Sequence, residues 1–129
     1  MGLDAYIWRA RIEDVIDDFT IKEKSGDKIF YWRTNYPLQN WMKHLYKKKG
    51  GTEEFNCEIV RLELDDLISL EKVIKVGFIP DIVPDIVDNN THVFITFDYS
   101  ARQKAEQDYI GFLKNEIEKG FAIYYYSWW

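Results

Sequence analysis

The chain opens on an alternation. Leu3, Ala5 and Ile7 fall on one parity and Asp4, Tyr6 and Trp8 on the other, the period-2 signature of a strand from Gly2 to Trp8 with one face in the core. Phe19 to Lys24 and Ile29 to Arg33 are β-prone runs separated by Ser25-Gly26-Asp27. A glycine in so short a connection supplies the positive φ of a tight turn, so these two runs are expected to pair as a hairpin. The period then changes. Leu38, Trp41, Met42 and Leu45 recur at i, i+3, i+4 and i+7, one apolar helical face. Thr34 or Asn35 can cap that helix, Pro37 suits its first turn because the missing N–H would be unpaired there anyway, and Gly50-Gly51 stops it.

Asn56 to Leu62 reads as a strand, with Cys57, Ile59 and Arg61 opposite Val60 and Leu62. Asp65 or Asp66 is then the expected cap of a second helix bearing Leu67, Leu70, Val73 and Ile74, with Gly77 just past its end. Residues 79–88 repeat Pro-Asp-Ile-Val, and two prolines in so short a span predict a loop. His92 to Phe97 alternates again, as a strand does. Ser100 with Gln103 makes a capping box for the longest helix, to about Lys119, with Ala105, Tyr109, Phe112, Leu113 and Ile117 on its apolar face and Gly120 closing it. Phe121 to Trp128 is the last strand, and large aromatics on both parities place it inside the sheet. The expected fold is one α+β domain over 1–129, a mixed, mainly antiparallel sheet with three helices packed mostly on one face.

Composition narrows the function classes. A chain of 129 residues that is 47% hydrophobic and 17% aromatic is long enough for one self-sufficient core and is not a disordered composition. The net charge is −5 and the pI about 5.0. The densest basic run, Lys47-Lys48-Lys49, falls at the expected helix end, where lysines complement the dipole and stand in solvent. Long nucleic acid is therefore not an expected partner, since backbone binding needs a basic stripe. A small anionic ligand needs only one or two cations. With Cys57 as the sole cysteine no intrachain disulfide can form, and a reducing compartment fits. The opening residues lack the basic and apolar regions of a signal peptide, and no apolar run approaches the ~20 residues that span a bilayer. The expected location is cytoplasmic, with no membrane partner.

The sequence assigns no catalytic residue, no metal site and no cofactor. His44, His92 and Cys57 sit on different predicted elements and form no ligand pair at metal-binding spacing. Cys57 is read as a half-buried structural residue. The many carboxylates lie mostly at loops and helix starts, where caps are their ordinary role. The stronger candidate is a ligand-binding set: Asp4, Tyr6, Tyr31, Trp32, Arg33, Trp41, Tyr124, Tyr126 and Trp128. By parity, Asp4 and Tyr6 share a face with Trp8, Tyr31 with Arg33, and Tyr124 with Tyr126 and Trp128, while Trp32 takes the opposite side of its strand. If these polar-aromatic faces meet, they offer stacking surfaces, one carboxylate and one guanidinium able to take a phosphate or carboxylate. The competing reading is a wet-edged core in which Asp4 pairs with Arg33 and the rings fill volume.

Four stretches carry a family resemblance. Met1-Gly2-Leu3-Asp4-Ala5-Tyr6-Ile7, Tyr31-Trp32-Arg33 with Trp41 on the next helix, Cys57 to Leu70 with its Leu64-Asp65-Asp66-Leu67, and Tyr125-Tyr126-Ser127-Trp128 together resemble a family of small bacteriophage and prophage proteins that begin Met-Gly-Leu-Asp. Some members carry a phosphoglycerate kinase label. This chain has neither the length nor the Gly-rich phosphate loop to support it. Gln39 stands where the family often has a histidine, and Ala101-Arg102-Gln103-Lys104 replaces an acidic stretch.

The resemblance implies a phage-encoded protein at work in the host cytosol. Three functions follow as expectations: a non-enzymatic binder that engages a host factor or sequesters a nucleotide-like signal; a protein–protein or homo-oligomeric module; and a small carboxylate-dependent hydrolase or transferase using a residue such as Asp4.

Overall fold

A computed structural model describes residues 2–22, 26–82, 84–87, 94–96 (backbone only) and 109–129. Its centre is a six-stranded sheet in the order β5-β8-β1-β4-β6-β7, formed by β1 (Asp4–Arg11), β4 (Asp27–Arg33), β5 (Glu58–Leu62), β6 (Asp85–Val87), β7 (Phe94–Thr96) and β8 (Phe121–Trp128). Every pairing in it is antiparallel. The short strands β2 (Val15–Asp17) and β3 (Thr20–Ile21) make a separate two-stranded sheet. A 3-10 turn at Ile12–Asp14 and helices α1 (Tyr36–Lys48), α2 (Leu64–Lys75) and α3 (Tyr109–Glu118) complete the described elements. The protein is an α+β fold, as the alternating and helical periods predict.

All three helices cover one face of the sheet. Ala5, Ile7, Phe30, Trp32, Val60, Leu62, Ile123 and Tyr125 supply the sheet side of the core. Leu38, Met42 and Leu45 of α1, Leu67 and Leu70 of α2, and Ile110 and Leu113 of α3 close over them. Each fully buried Leu or Ile here contributes roughly 1.5–3 kcal/mol through the apolar surface it removes from water. Asn35 caps α1 by accepting from the Leu38 N–H at 3.3 Å. Gly77 has φ +86° just beyond α2, a value that a Cβ would strain.

The structure corrects several expectations. Over its described residues, 19–22, the run from Phe19 to Lys24 does not pair with Ile29 to Arg33. Instead β3 turns back onto β2, the Phe19 N–H bonding the Asp17 side chain at 2.8 Å, and β4 pairs with β1. The second helix is capped by Glu63, whose backbone N–H donates to Asp66 Oδ2 at 2.9 Å, so Asp66 stands in the first turn and is not the cap. The span 79–88 is not all loop, because residues 85–87 form β6 beside β4. Proline removes only its own N–H donor, and Pro84 ends just before the paired residues begin. Lys49 is not a solvated helix end: its ammonium reaches the Arg61 carbonyl and Asp66 Oδ2, both at 2.6 Å. The Ser100–Gln103 capping box and His92 lie outside the described residues.

Candidate functional site

The helix-free face of the sheet is assembled by register. Asp4 stands opposite Arg33 on one side and Trp128 on the other, and Tyr6 likewise lies between Tyr31 and Tyr126. Trp8 lies opposite Tyr124. Between Ile7 and Trp8 the pairing slips by one residue, so that Trp8 faces Lys28 and Ile29 is the extra residue of a bulge. Bulges re-aim the side chains around them. Here the slip sets the Lys28 ammonium 4.6 Å from the centre of the Tyr6 ring.

The result is a continuous row of rings. Tyr31 and Tyr6 are 5.1 Å apart between ring centres, Tyr6 and Tyr126 are 6.5 Å apart, and Tyr126 stacks on Trp8 at 4.8 Å with 20° between planes. All four are half-buried. Tyr124 belongs to the same parity but is fully buried, its hydroxyl donating to the Asp17 carbonyl at 2.8 Å. The Asp17–Asp18 turn between β2 and β3 closes over that end of the face and also binds the Arg61 N–H through the Asp18 carbonyl at 2.8 Å.

At the other end the Tyr31 hydroxyl donates to Asp4. Asp4 and Arg33 are neighbours across the strands but form no ion pair, and Arg33 is exposed with its guanidinium unpaired among the described residues. The Asp4–Arg33 pair of the wet-edged-core alternative is thus replaced by a carboxylate–phenol bond. Burial first, and then the Asp4 carboxylate, push the ionisation of Tyr31 far above its ordinary value of 10. Tyr6 is raised by the same two causes. Tyr126 is raised by burial and by the Cys57 thiol beside its hydroxyl. These phenols are neutral at physiological pH, and the charged side chains that the register places on this face include Asp4, Arg33, Asp85 opposite Tyr31 and Arg61 opposite Tyr124, with Lys28 over the Tyr6 ring.

Two of the sequence-predicted residues do not join the face. Trp32 is on the helix side, 3% exposed, with its indole N–H donating to the Ile82 carbonyl at 2.7 Å and its ring edge-on to Tyr109. Its parity had already placed it opposite Tyr31 and Arg33. Trp41 packs at the edge of the helix layer beside a pocket of about 270 Å³ shared with His44, Lys48 and Asp66. Gln39 accepts from the Tyr125 hydroxyl at 2.7 Å and donates to the Phe55 carbonyl at 3.3 Å, so it is a buried structural amide.

Sequence reasoning missed a groove. Beside the ring row lies a cavity of about 540 Å³ with Trp8, Tyr126 and Ile59 on its sheet side, Ile21 from β3, and Lys22 and Lys28 among its lining. Ile59 has the right parity to be found from the sequence, whereas Lys28 alternates with Phe30 and Trp32 and reaches this face only through the bulge at Ile29. The β2–β3 turn that builds the wall was hidden by the assumption that β3 pairs with β4. Gly26 permits the close fit there, since a Cβ at that position would meet Ile21 Cδ1 at 3.0 Å and Trp8 Cε3 at 3.2 Å. Cys57 lines the same groove and is exposed, with φ +61°, so it is not the half-buried core residue the sequence suggested.

Among the described residues, no three His, Cys, Asp or Glu side chains cluster as metal ligands would, and no helix is long and apolar enough to cross a membrane. Compared with models of protein families, with curated proteins and with solved structures, the chain has no significant match in any of the three.

Proposed function

We propose that this protein is a small non-enzymatic binder whose ligand is a planar ring bearing an anionic group, that is, a nucleotide-like molecule. The observation that carries this reading is the unbroken row Tyr31–Tyr6–Tyr126–Trp8 on the helix-free face, bordered by Lys28 and Arg33. Rings offer stacking surface to any base, and a lysine or arginine beside them answers a phosphate. The resemblance to phage proteins supplies the context, in which such a binder sequesters a signal used by the host. Asp4 does not favour an enzymatic reading, since it is engaged by a phenol that stays protonated at neutral pH.

Isothermal titration of the full chain against a panel of mononucleotides and cyclic nucleotides tests the proposal. Binding is expected at one site per chain, with the ligand recovered unchanged after prolonged incubation. A panel without a single binder removes the reading, and chemical turnover of a bound nucleotide replaces it with the enzymatic one.

A second reading, a protein–protein or homo-oligomeric module, is favoured by a different patch. Trp129 and Tyr36 are both exposed and flank a pocket of about 210 Å³ with Leu3 and Lys43, and aromatics of this kind are enriched in interfaces. Light scattering that returns the mass of one chain at high concentration counts against the oligomer form of this reading.

A further inference from the structure

The geometry points to the outer side of α1 as a docking surface for an acidic segment of a partner protein, one that carries two bulky apolar side chains. This gives the interface reading a partner class and rests on it, not on the nucleotide reading of the opposite face of the sheet.

Charge comes first. Helix α1 contains no acidic residue, on a chain of net charge −5. Its exposed arc carries Lys43, His44, Lys47 and Lys48, and among the described residues none of these three ammonium groups has an ion-pair or hydrogen-bond partner. The other two helices offset their lysines. Glu71 of α2 receives Lys75 at 3.7 Å and Lys114 at 3.1 Å, and Glu116 of α3 receives Lys119 at 3.5 Å. Lys47 and Lys48 complement the dipole of α1, but that effect fades within the last turn, and Lys43 stands before it. An uncompensated basic ridge is the complement of carboxylates on another molecule.

Shape comes next. The ridge runs between two pockets, one on each flank of the helix. On one flank Tyr36 and Trp129, 53% and 38% exposed, wall a pocket of about 210 Å³ with Lys43 among its lining. On the other, Trp41, His44 and Lys48 line a pocket of about 270 Å³, and the Asp66 carboxylate in its wall is held by Lys49 at 2.6 Å. Both are smaller than the ~300 Å³ at which small-molecule sites begin. They suit the single side chains by which a protein partner anchors itself. The second pocket lies about five residues further along the helix, ~7.5 Å, and across a cylinder ~10 Å wide. The two anchors are therefore on the order of 12 Å apart, about four residues of extended chain.

A strand of nucleic acid fits less well. The basic run is a single helix of 13 residues. Just past its end come the exposed Glu53 and Glu54, with Glu63 beside Lys49. A continued row of phosphates would meet those carboxylates, whereas a short acidic peptide ends before them.

The experiment is selection, on the immobilised full chain, from displayed random peptides of about twelve residues, which reach ~40 Å when extended and so span both pockets. Enriched peptides are expected to be rich in Asp and Glu, with two large apolar residues about four apart. A labelled copy of the strongest is then titrated by fluorescence anisotropy. The double variant Lys43→Gln, Lys47→Gln should weaken it about tenfold. Tyr36→Ser should do so by about tenfold through loss of a pocket wall, while Lys75→Gln on α2 should change it by less than about twofold. All four positions are exposed, and circular dichroism checks that each variant folds. Enriched peptides that are neutral or basic, or an acidic one held equally by the lysine variant, overturn the acidic partner and leave an interface standing. A labelled oligothymidylate of similar length that binds more tightly than any peptide assigns the ridge to nucleic acid instead. No enriched peptide at all overturns the docking surface, and light scattering then decides the interface reading by its oligomer form alone.

Discussion

Three consecutive tyrosines on β8 show how differently the two faces of this sheet are used. Tyr125 points into the helix layer, is fully buried, and gives its hydroxyl to Gln39. Tyr124 and Tyr126 point the other way. Tyr124 is sealed by the Asp17–Asp18 turn, while Tyr126 stacks on Trp8 and stays half-exposed beside the groove. The residue type is the same in all three places. What differs is how completely each ring's polar tip and apolar body are enclosed, and that separates a structural tyrosine from one available to a ligand.

The sharpest way to break this comparison is truncation. Tyr125→Ala should cost about 3–5 kcal/mol, as removal of a fully enclosed ring does, measured as a fall in the urea midpoint at constant slope. A loss below 1 kcal/mol would mean that the helix-covered face is not the packed one. Tyr125→Phe keeps the ring but strands the Gln39 carbonyl oxygen, and a loss of about 1–3 kcal/mol is expected. The double variant Tyr125→Phe, Gln39→Leu should recover part of it. If the double variant is simply the sum of its parts, the hydrogen bond is not the cause.

On the open face the effects shrink. Tyr126→Ala should lower stability by only about 1 kcal/mol, the scale of one aromatic pair, yet abolish binding of a nucleotide that stacks on the ring row. A large stability loss with binding retained would invert the roles assigned to the two faces. The smallest effect at neutral pH belongs to Tyr124, whose ionisation burial pushes up to about 12. In the unfolded chain the phenol ionises near 10, where the folded protein still holds its proton, so the folded state loses stability as pH rises from 10 towards 12. Below pH 10 both states are protonated and this contribution is constant. Spectrophotometric titration of wild type against Tyr124→Phe checks it, and identical alkaline transitions would show that Tyr124 is not the group responsible.

How much of this was legible in the sequence depends on whether the information was local. Parity along Leu3–Trp8 and Phe121–Trp128 gave the correct face for every aromatic of β1 and β8, because side chains alternate wherever a strand is regular. The same rule put Trp32 opposite Tyr31, and the structure holds it there. Partner choice is not local. The glycine-bearing segment before β4 looked like its hairpin turn, but β1 competes for β4 with a longer register, Asp4 to Arg9, and prevails. The Asp17 side chain bonding the Phe19 N–H was a turn signal available in the sequence, and reading it would have revealed β2–β3 and the groove wall. The phenol bond that draws Asp4 from Arg33 depends on the Tyr31 hydroxyl lying in reach, which only the assembled register determines.

β8 comes late in the chain and lies in the middle of the sheet, between β5 and β1. Until residues 121–128 are in place, β1 with β4 and the β5 segment are two separate pieces, each presenting open backbone donors and acceptors where the missing strand belongs. Contacts of such sequence separation slow folding, and unfilled strand edges recruit other chains. A fragment halted at Gly120 is therefore expected to self-associate, and a synthetic peptide of residues 121–129 to compete with that association by filling the gap.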